Sequence, residues 1–338
     1  MKKQAENGGA IGLSFVIPHR AGESVADTVA ALRAGCSETG LRFEILTACG
    51  NNPTAQRNRC VGRAQFSYVY FLDNDSVLSS ASLRCLKARL AERPEIDILG
   101  GPSLTPGSDG RLQRVFGAVL SSVFAVGPIA ARYARRGRFR RADDSALILC
   151  NLLVRKRVFE ALGGFDENLY PNEENEFIHR ALAAGAQVFY EPGLSVYRSQ
   201  RGSLRAFASQ IFNYGRGRGE QTRRAPGSFN AFLLVPVLFA AYLLAFCPVL
   251  AAAAVRLGGV GWFQWVWIAG CVPLVFYVAG ALLAAAPIAV SAGFGVVWVP
   301  PLFLLTHLCY AGGLLYGLLP REYEAAQRTE VGEVEEIS

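Results

Sequence analysis

The sequence predicts an α/β fold with a mainly parallel central sheet, followed by an α-helical transmembrane region. Three observations carry this. Short apolar runs alternate with stretches of helical spacing through the first half of the chain. Three long stretches after about residue 230 contain no Asp, Glu, Lys or Arg. Arginines crowd just ahead of the first of them. Alternating strands and helices imply crossover connections and parallel strands, and a helix of about 20 apolar residues spans a bilayer core.

The elements follow in order. Leu13 to Ile17 is an apolar run closed by Pro18, a buried strand. Val25, Val29 and Leu32 give helical spacing over residues 23 to 34. Residues 43 to 47 (FEILT) form a second strand, and Gly50-Asn51-Asn52-Pro53 is a turn. Thr54 is placed to cap a helix running to about Ala64. Residues 67 to 72 (SYVYFL) form a third strand that ends directly on Asp73-Asn74-Asp75. A helix over 82 to 92 and a strand over 96 to 99 come next. A strand is expected over 146 to 154, a short helix over 158 to 162 before Gly163-Gly164, a helix over 177 to 184 and a strand over 187 to 190.

Residues 111 to 131 are apolar, rich in small residues and followed by arginines, with Gly127-Pro128 against one continuous helix. Two roles fit them: a segment dipping to the bilayer interface, or an ordinary core helix and loop.

The domains expected are a polar N-terminal tail (1–11), a catalytic domain (12–225) whose basic juxtamembrane part covers about 198–225, and a transmembrane region (226–320). The last would hold three helices, about 232–255, 265–290 and 296–319, before an acidic tail (321–338). Trp262, Trp265 and Trp267 gather at one end of the second stretch, as interfacial aromatics do.

The formal net charge is +7. Its position beside an apolar stretch favours an anionic membrane surface, and no nucleic-acid-binding motif is present, so no nucleic acid partner is expected. The same charge puts the arginine side of the first span in the cytoplasm. With an N-terminus that has no secretory signal, this predicts a multi-pass protein of a bacterial-type inner (plasma) membrane with a cytoplasmic catalytic domain. Three crossings would then put the acidic tail, ending in EVEEIS and expected to be disordered, outside. The eight cysteines show no CxxC spacing, which argues against a zinc site or redox dithiol.

Chemistry centres on Asp73 and Asp75. Two acids one residue apart at a strand end can meet one Mg²⁺ or Mn²⁺, and the metal neutralises a leaving diphosphate. Glu173-Glu174 offers a carboxylate able to take a proton from an attacking hydroxyl; the alternative is a pair of acids favoured by a helix N-terminus. Arg216 and Arg218 lie on a glycine-rich segment suited to clamping phosphates, or to anchoring beside the membrane.

Taken together, these segments resemble the family 2 inverting glycosyltransferases of GT-A fold. Four blocks match in order: Ser14 to Pro18, Pro53-Thr54-Ala55-Gln56-Arg57-Asn58, Phe71-Leu72-Asp73-Asn74-Asp75, and Gly163-Gly164-Phe165-Asp166-Glu167 with Asn172-Glu173-Glu174. Residues 210 to 218 and 305 to 318 are similar to the membrane-bound, succinoglycan-type enzymes of exopolysaccharide synthesis. The resemblance implies donor binding by Pro18, His19, Arg20, Glu23, Asn51, Arg57, Asn58, Asp73 and Asn74, and metal binding by Asp73 and Asp75. It implies a base at Glu174, acceptor contacts from Asp166 and Glu173, and phosphate or lipid-diphosphate contacts from Arg216 and Arg218. The donor would be a UDP- or GDP-sugar, UDP favoured, and the acceptor a polyprenyl-linked saccharide at the lipid surface.

Two departures stand out. The family's nucleobase-reading Asp after the second strand is absent, leaving Asn51 or Asn52. The base position, usually Asp, is Glu174. A processive polymer synthase and a non-catalytic relative of the same fold are the alternatives; no QxxRW stretch supports the first.

Overall fold

A computed structural model describes residues 11–255, 262–292, 295–320 and 331–337. Most of the polar N-terminal tail and the start of the acidic tail lie outside the described residues. In order, the elements are β1 (Gly12–His19), α1 (Ala26–Thr39), β2 (Arg42–Gly50), α2 (Pro53–Arg63), β3 (Tyr68–Phe71), β4 (Val77–Leu78), α3 (Ser80–Glu92), β5 (Ile98–Gly100), β6 (Ser103–Leu104), α4 (Arg111–Leu120) and α5 (Val123–Val126). They continue with β7 (Arg140–Arg141), β8 (Leu152–Arg155), α6 (Lys156–Ala161), α7 (Glu173–Ala183), β9 (Val188–Tyr190), β10 (Val196–Tyr197), α8 (Leu204–Arg224), α9 (Leu234–Val255), α10 (Trp262–Ala292), α11 (Val299–Leu318) and β11 (Val331–Glu336).

The chain divides into two compact units. One comprises Met1–Pro106, Ala131–Ser199 and Glu322–Ser338; the other comprises Gly107–Ala130 and Gln200–Arg321. Residues 107–130 and 200–225 therefore group with the apolar helices rather than with the sheet.

The first unit is built on a sheet of order β11-β2-β1-β3-β8-β5-β9-β7. It is parallel across β2-β1-β3 and at β5-β9. β8 runs antiparallel to both β3 and β5, and the edge strands β11 and β7 run antiparallel to β2 and β9, so the sheet is mixed and the parallel expectation holds only across β2-β1-β3 and at β5-β9. β8 follows β7 with no α-helix between them, so no crossover helix dictates its direction. β1 is buried along Leu13–Ile17, as a central strand covered on both faces must be. Below the sheet, Phe159, Phe165 and Phe177 pack ring to ring, with centroids 4.9–5.3 Å apart. That cluster fixes the glycine turn at 163–164 and the first turns of α7.

Three expectations are corrected. Thr54 does not cap α2; the Asn52 side chain accepts from the Ala55 N–H at 3.1 Å, with Pro53 opening the helix. α7 begins at Glu173, one turn before Phe177, because acids suit a helix's first turn although they break the apolar period. The EVEEIS ending is ordered: β11 pairs antiparallel with β2, and Ile337 N–H donates to Ile45 O at 2.9 Å. Its valines at 331 and 334 are half-buried while the glutamates face out, the two valines lying on either side of an irregularity in the pairing of this edge strand. The tail thus shares a side with β2 instead of lying across a membrane from it.

In the second unit two stretches, Ile268–Val290 and Val296–Leu318, are long and apolar enough to cross a membrane. The expected first span is the helix α9, whose Ala231–Phe246 part ranks as a shorter apolar helix. Residues 111 to 132 form two helical pieces bent by 63°. Phe124 there packs against Tyr277, Phe303 and His307, with centroids 5.2–5.8 Å away. The segment groups with the apolar helices.

α8 and α11 touch backbone to backbone. A Cβ on Gly313 or Gly317 would lie 2.0 Å from the carbonyl oxygen of Phe212 or Arg216. Only glycine permits that approach, the small-residue packing used between membrane helices.

Candidate active site

The sheet unit gathers its charged side chains where β3 ends. Leu72 N–H still bonds to Val16 O at 3.1 Å, holding the chain beside β1, and Asp73-Asn74-Asp75 then leaves the sheet. Carboxyl ends of parallel strands are where such sheets bind ligands.

Arginines and carboxylates alternate across this edge. Arg198, following β10, donates from Nε to Asp75 Oδ1 at 2.8 Å and reaches Asp73 Oδ2 at 3.0 Å. Arg57 on α2 holds the other oxygen of Asp73 at 2.9 Å and Glu173 Oε1 at 3.1 Å. Thr54 Oγ1 donates to the same Glu173 oxygen at 3.3 Å. Next along α7, Glu174 faces Arg132 at 3.6 Å. Arg132 is fixed in turn by the carbonyls of Asp144 and Ser145 and by Asn175 Oδ1.

Burial sets the electrostatics. Arg57, Arg132, Glu173 and Glu174 are all buried. Burial pushes the Glu173 carboxyl up to about 7, against the pull of Arg57; the neighbouring Glu174 adds to the rise. A carboxyl at that value can hold or release a proton near neutrality. Asn172, just before the pair, has φ 98°, a conformation asparagine tolerates better than most residues, and it turns α7 inward.

The expected site residues fall into three groups. Asp73, Asp75, Arg57, Glu173 and Glu174 are brought together. The loop after β1, expected at the donor, joins them through Asn74: the Asn74 Nδ2 meets Glu23 Oε2 at 3.4 Å, and the Asn74 carbonyl accepts from Thr28 at 2.8 Å. Glu23 also accepts from Arg20 N–H at 3.0 Å, and His19 O accepts from Gln56 at 2.9 Å, so the loop after Pro18 is tied at both ends. Asn51 stands in the turn between β2 and α2.

The second group has other duties. Asn58 exchanges hydrogen bonds with the Phe165 backbone at 2.9 and 3.0 Å and also donates to Glu167, so it braces the glycine turn. Asp166 accepts from Asn168 N–H at 3.0 Å, closing its own turn. The third group is Arg216 and Arg218, which belong to the other unit on α8. There Arg216 approaches Glu220 at 3.8 Å and Arg218 donates to Gln221 at 3.2 Å.

Arg198, Arg132 and Thr54 were not expected in these roles. Arg132 and Arg198 had registered only as members of basic clusters; position relative to the carboxylates is a tertiary fact.

The family model described as glycosyl transferase family group 2 matches residues 68–285. The chain belongs to this family. It is therefore a glycosyltransferase, and its mixed sheet with an apolar helical C-terminal part is the family's GT-A-like architecture followed by membrane-type helices. Over 116 residues it is 33% identical to the succinoglycan biosynthesis protein ExoA of Rhizobium meliloti, covering 31% of this chain and 35% of that protein. The chain thus spans about a third of the length of that curated relative. Among solved structures it is similar to the mannosyltransferase PcManGT from Pyrobaculum calidifontis in complex with GDP-Man and Mn²⁺, with TM-score 0.49, 14% identity and coverage of 90% of this chain and 86% of that one. It is similar also to S. aureus TarS 1–349 in complex with UDP-GlcNAc, with TM-score 0.41, 12% identity and coverage of 89% and 90%.

A divalent cation suits the residues present. One guanidinium, Arg198, pairs with both Asp73 and Asp75, so the two carboxylates turn toward a shared positive charge. Two carboxylates completed by phosphate oxygens and water form an ordinary donor set for Mg²⁺ or Mn²⁺.

Proposed function

We propose that this glycosyltransferase moves a sugar from a nucleoside-diphosphate donor to a lipid-linked saccharide in exopolysaccharide synthesis, with inversion at the anomeric carbon. The observation that carries the proposal is the continuous series Asp75–Arg198–Asp73–Arg57–Glu173, which joins the two acids after β3 to the first acid of α7. Asp73 and Asp75 would hold Mg²⁺ or Mn²⁺, whose chemistry is to neutralise the departing diphosphate. Glu174 takes the acceptor proton. It is adjacent to Glu173 but freer, because Glu173 is already engaged by Arg57 and Thr54. Arg132 faces Glu174 at 3.6 Å and orients its carboxylate toward an arriving acceptor hydroxyl. UDP is the favoured nucleotide and a polyprenyl-linked sugar the favoured acceptor; the similarity to the succinoglycan biosynthesis protein supports the role in exopolysaccharide synthesis.

The test is transfer of radiolabel from a panel of UDP- and GDP-sugars to extracted polyprenyl lipids by the detergent-solubilised chain. Asp75→Asn and Glu174→Gln are each expected to lower turnover by about 10²–10⁴-fold, the range of a lost acid–base group. Turnover of Glu174→Gln near that of the wild type would remove Glu174 as the base. Product of one added sugar, rather than a ladder, would exclude a processive synthase.

The membrane topology proposed is an even number of crossings with the sheet unit in the cytoplasm. Support comes from β11, which belongs to the same sheet as β2 and lies after every apolar helix. A chain that ends on the side it started from crosses twice or four times, not three. Ile268–Val290 and Val296–Leu318 supply two crossings. Ala231–Phe246 and the bent segment at 111–132 would enter one leaflet only. Fusing a reporter active only in the cytoplasm after residue 338 should give full signal; signal solely from a periplasm-active reporter would overturn this arrangement.

A further inference from the structure

Arg198 is placed unlike the other arginines of the site. Its backbone N–H bonds to Leu104 O at 2.9 Å, which fixes the main chain at the end of β10. Its side chain reaches back across the strand ends to both Asp73 and Asp75. The oxygens it holds are the ones a divalent cation would take. A guanidinium and a divalent cation are like charges and cannot share those oxygens without cost. Arg57 also holds Asp73, but it is buried and shared with Glu173, so it cannot withdraw without stranding a buried acid. Arg198 is a quarter exposed and Asp75 about half exposed, so this is the contact able to open.

We propose that Arg198 couples cation binding to diphosphate binding: it leaves Asp73 and Asp75 when the cation arrives and passes to the donor's diphosphate oxygens. This rests on Asp73–Asp75 being the cation and diphosphate site. A planar guanidinium pairs as readily with phosphate as with carboxylate, in fork geometry. Cation without nucleotide leaves Arg198 displaced from both carboxylates beside a positive charge. Cation with nucleotide gives it a new partner. Each ligand therefore favours the other, and linkage makes the coupling equal in both directions. The consequence is chemical economy: the carboxylates do not hold a cation idly, and the cation enters with the group it must neutralise.

The experiment measures Mn²⁺ affinity of the purified full-length chain in detergent, by electron paramagnetic resonance of the free ion. It is run alone and with saturating UDP or GDP, for the wild type, Arg198→Gln and Arg198→Lys. In the wild type, one of the nucleotides should tighten Mn²⁺ binding by about tenfold, within the usual range of coupling between sites. Arg198→Gln, which removes the competing charge, should bind Mn²⁺ alone about tenfold more tightly than the wild type and show a smaller nucleotide effect, the remainder being direct ligation of the cation by phosphate oxygens. Arg198→Lys keeps the charge but not the fork, so Mn²⁺ alone should bind as weakly as in the wild type. Arg198→Gln binding Mn²⁺ alone no more tightly than the wild type, with the nucleotide effect intact, would overturn the coupling role and leave the cation site standing. If none of the three proteins binds Mn²⁺ with either nucleotide, the cation site itself fails and the coupling with it.

Discussion

Two groups of arginines in this chain look alike in composition and differ in what surrounds them. Arg57, Arg132 and Arg198 of the sheet unit each face an acid from a distant part of the chain: Arg57 meets Asp73 and Glu173, Arg132 meets Glu174, and Arg198 meets Asp73 and Asp75. Arg216 and Arg218 of α8 find partners on their own helix, among them Asn213, Glu220 and Gln221. They are buried in both cases, apart from Arg198. The difference is that long-range pairs join separate elements at a strand edge, whereas pairs one turn apart hold a helix surface together. Helix packing explains the second case. Gly215 and Gly219 bring α8 against α11 so closely that a Cβ would lie 2.2 Å from Tyr310 O or 2.3 Å from Leu314 O. The arginines interleaved with these glycines are enclosed along with them. Glycines beside arginines suggested a flexible phosphate clamp; here they mark a tight helix contact.

The sharpest way to break this comparison is to neutralise one member of each group. Arg57→Gln leaves Asp73 and Glu173 without their shared cation inside the protein. Removing one partner of a buried pair costs about 3–5 kcal/mol, so Tm should fall markedly and transfer should drop by about a hundredfold or more. Arg218→Gln removes a charge that donates to Gln221 one turn along its own helix. Its Tm should fall less, by the about 0.5–3 kcal/mol typical of single substitutions, and the activity of the folded protein should stay within a few-fold of the wild type. Thermal unfolding and radiolabel transfer on the same preparations decide it. Loss of transfer by folded Arg218→Gln equal to that of Arg57→Gln would return α8 to the phosphate site.

Legibility in the sequence followed the same divide. β3 and the acids after it were readable because a fully buried four-residue strand, Tyr68–Phe71, leads straight into Asp73. The order of the motif blocks was readable because each sits where a strand or helix starts or stops. The start of α7 was not, since buried acids interrupt the apolar period that marks a helix. β11 was not, because an edge strand needs only two apolar residues on one side, and alternating Val and Glu near a terminus reads as a polar tail. Arg198 could not be singled out at all: 123 positions separate it from Asp75, and no local signal distinguishes it from Arg201 or Arg205. Periodicity records which face is buried; it does not record which distant acid a basic side chain will meet.

A smaller effect tests the boundary between the two acids of α7. Burial raises the Glu173 carboxyl from 4.5 to about 7, with Arg57 opposing the rise. A carboxyl whose folded pKa lies above its unfolded one takes up a proton on folding. Its contribution to stability is then fully present below about 4.5 and is lost as pH rises through about 7. Above that, the folded chain carries a buried negative charge that Arg57 and Thr54 offset only in part. Glu173→Gln has no proton to exchange, so this slope should vanish. The Tm of the wild type relative to Glu173→Gln should therefore decline between pH 5 and pH 7.5 and level off beyond. A constant difference across that window would mean that Arg57 fully offsets burial. Glu173 would then stay ionised at every working pH, and the pairing series at the strand edge would carry one more fixed charge than its surroundings suggest.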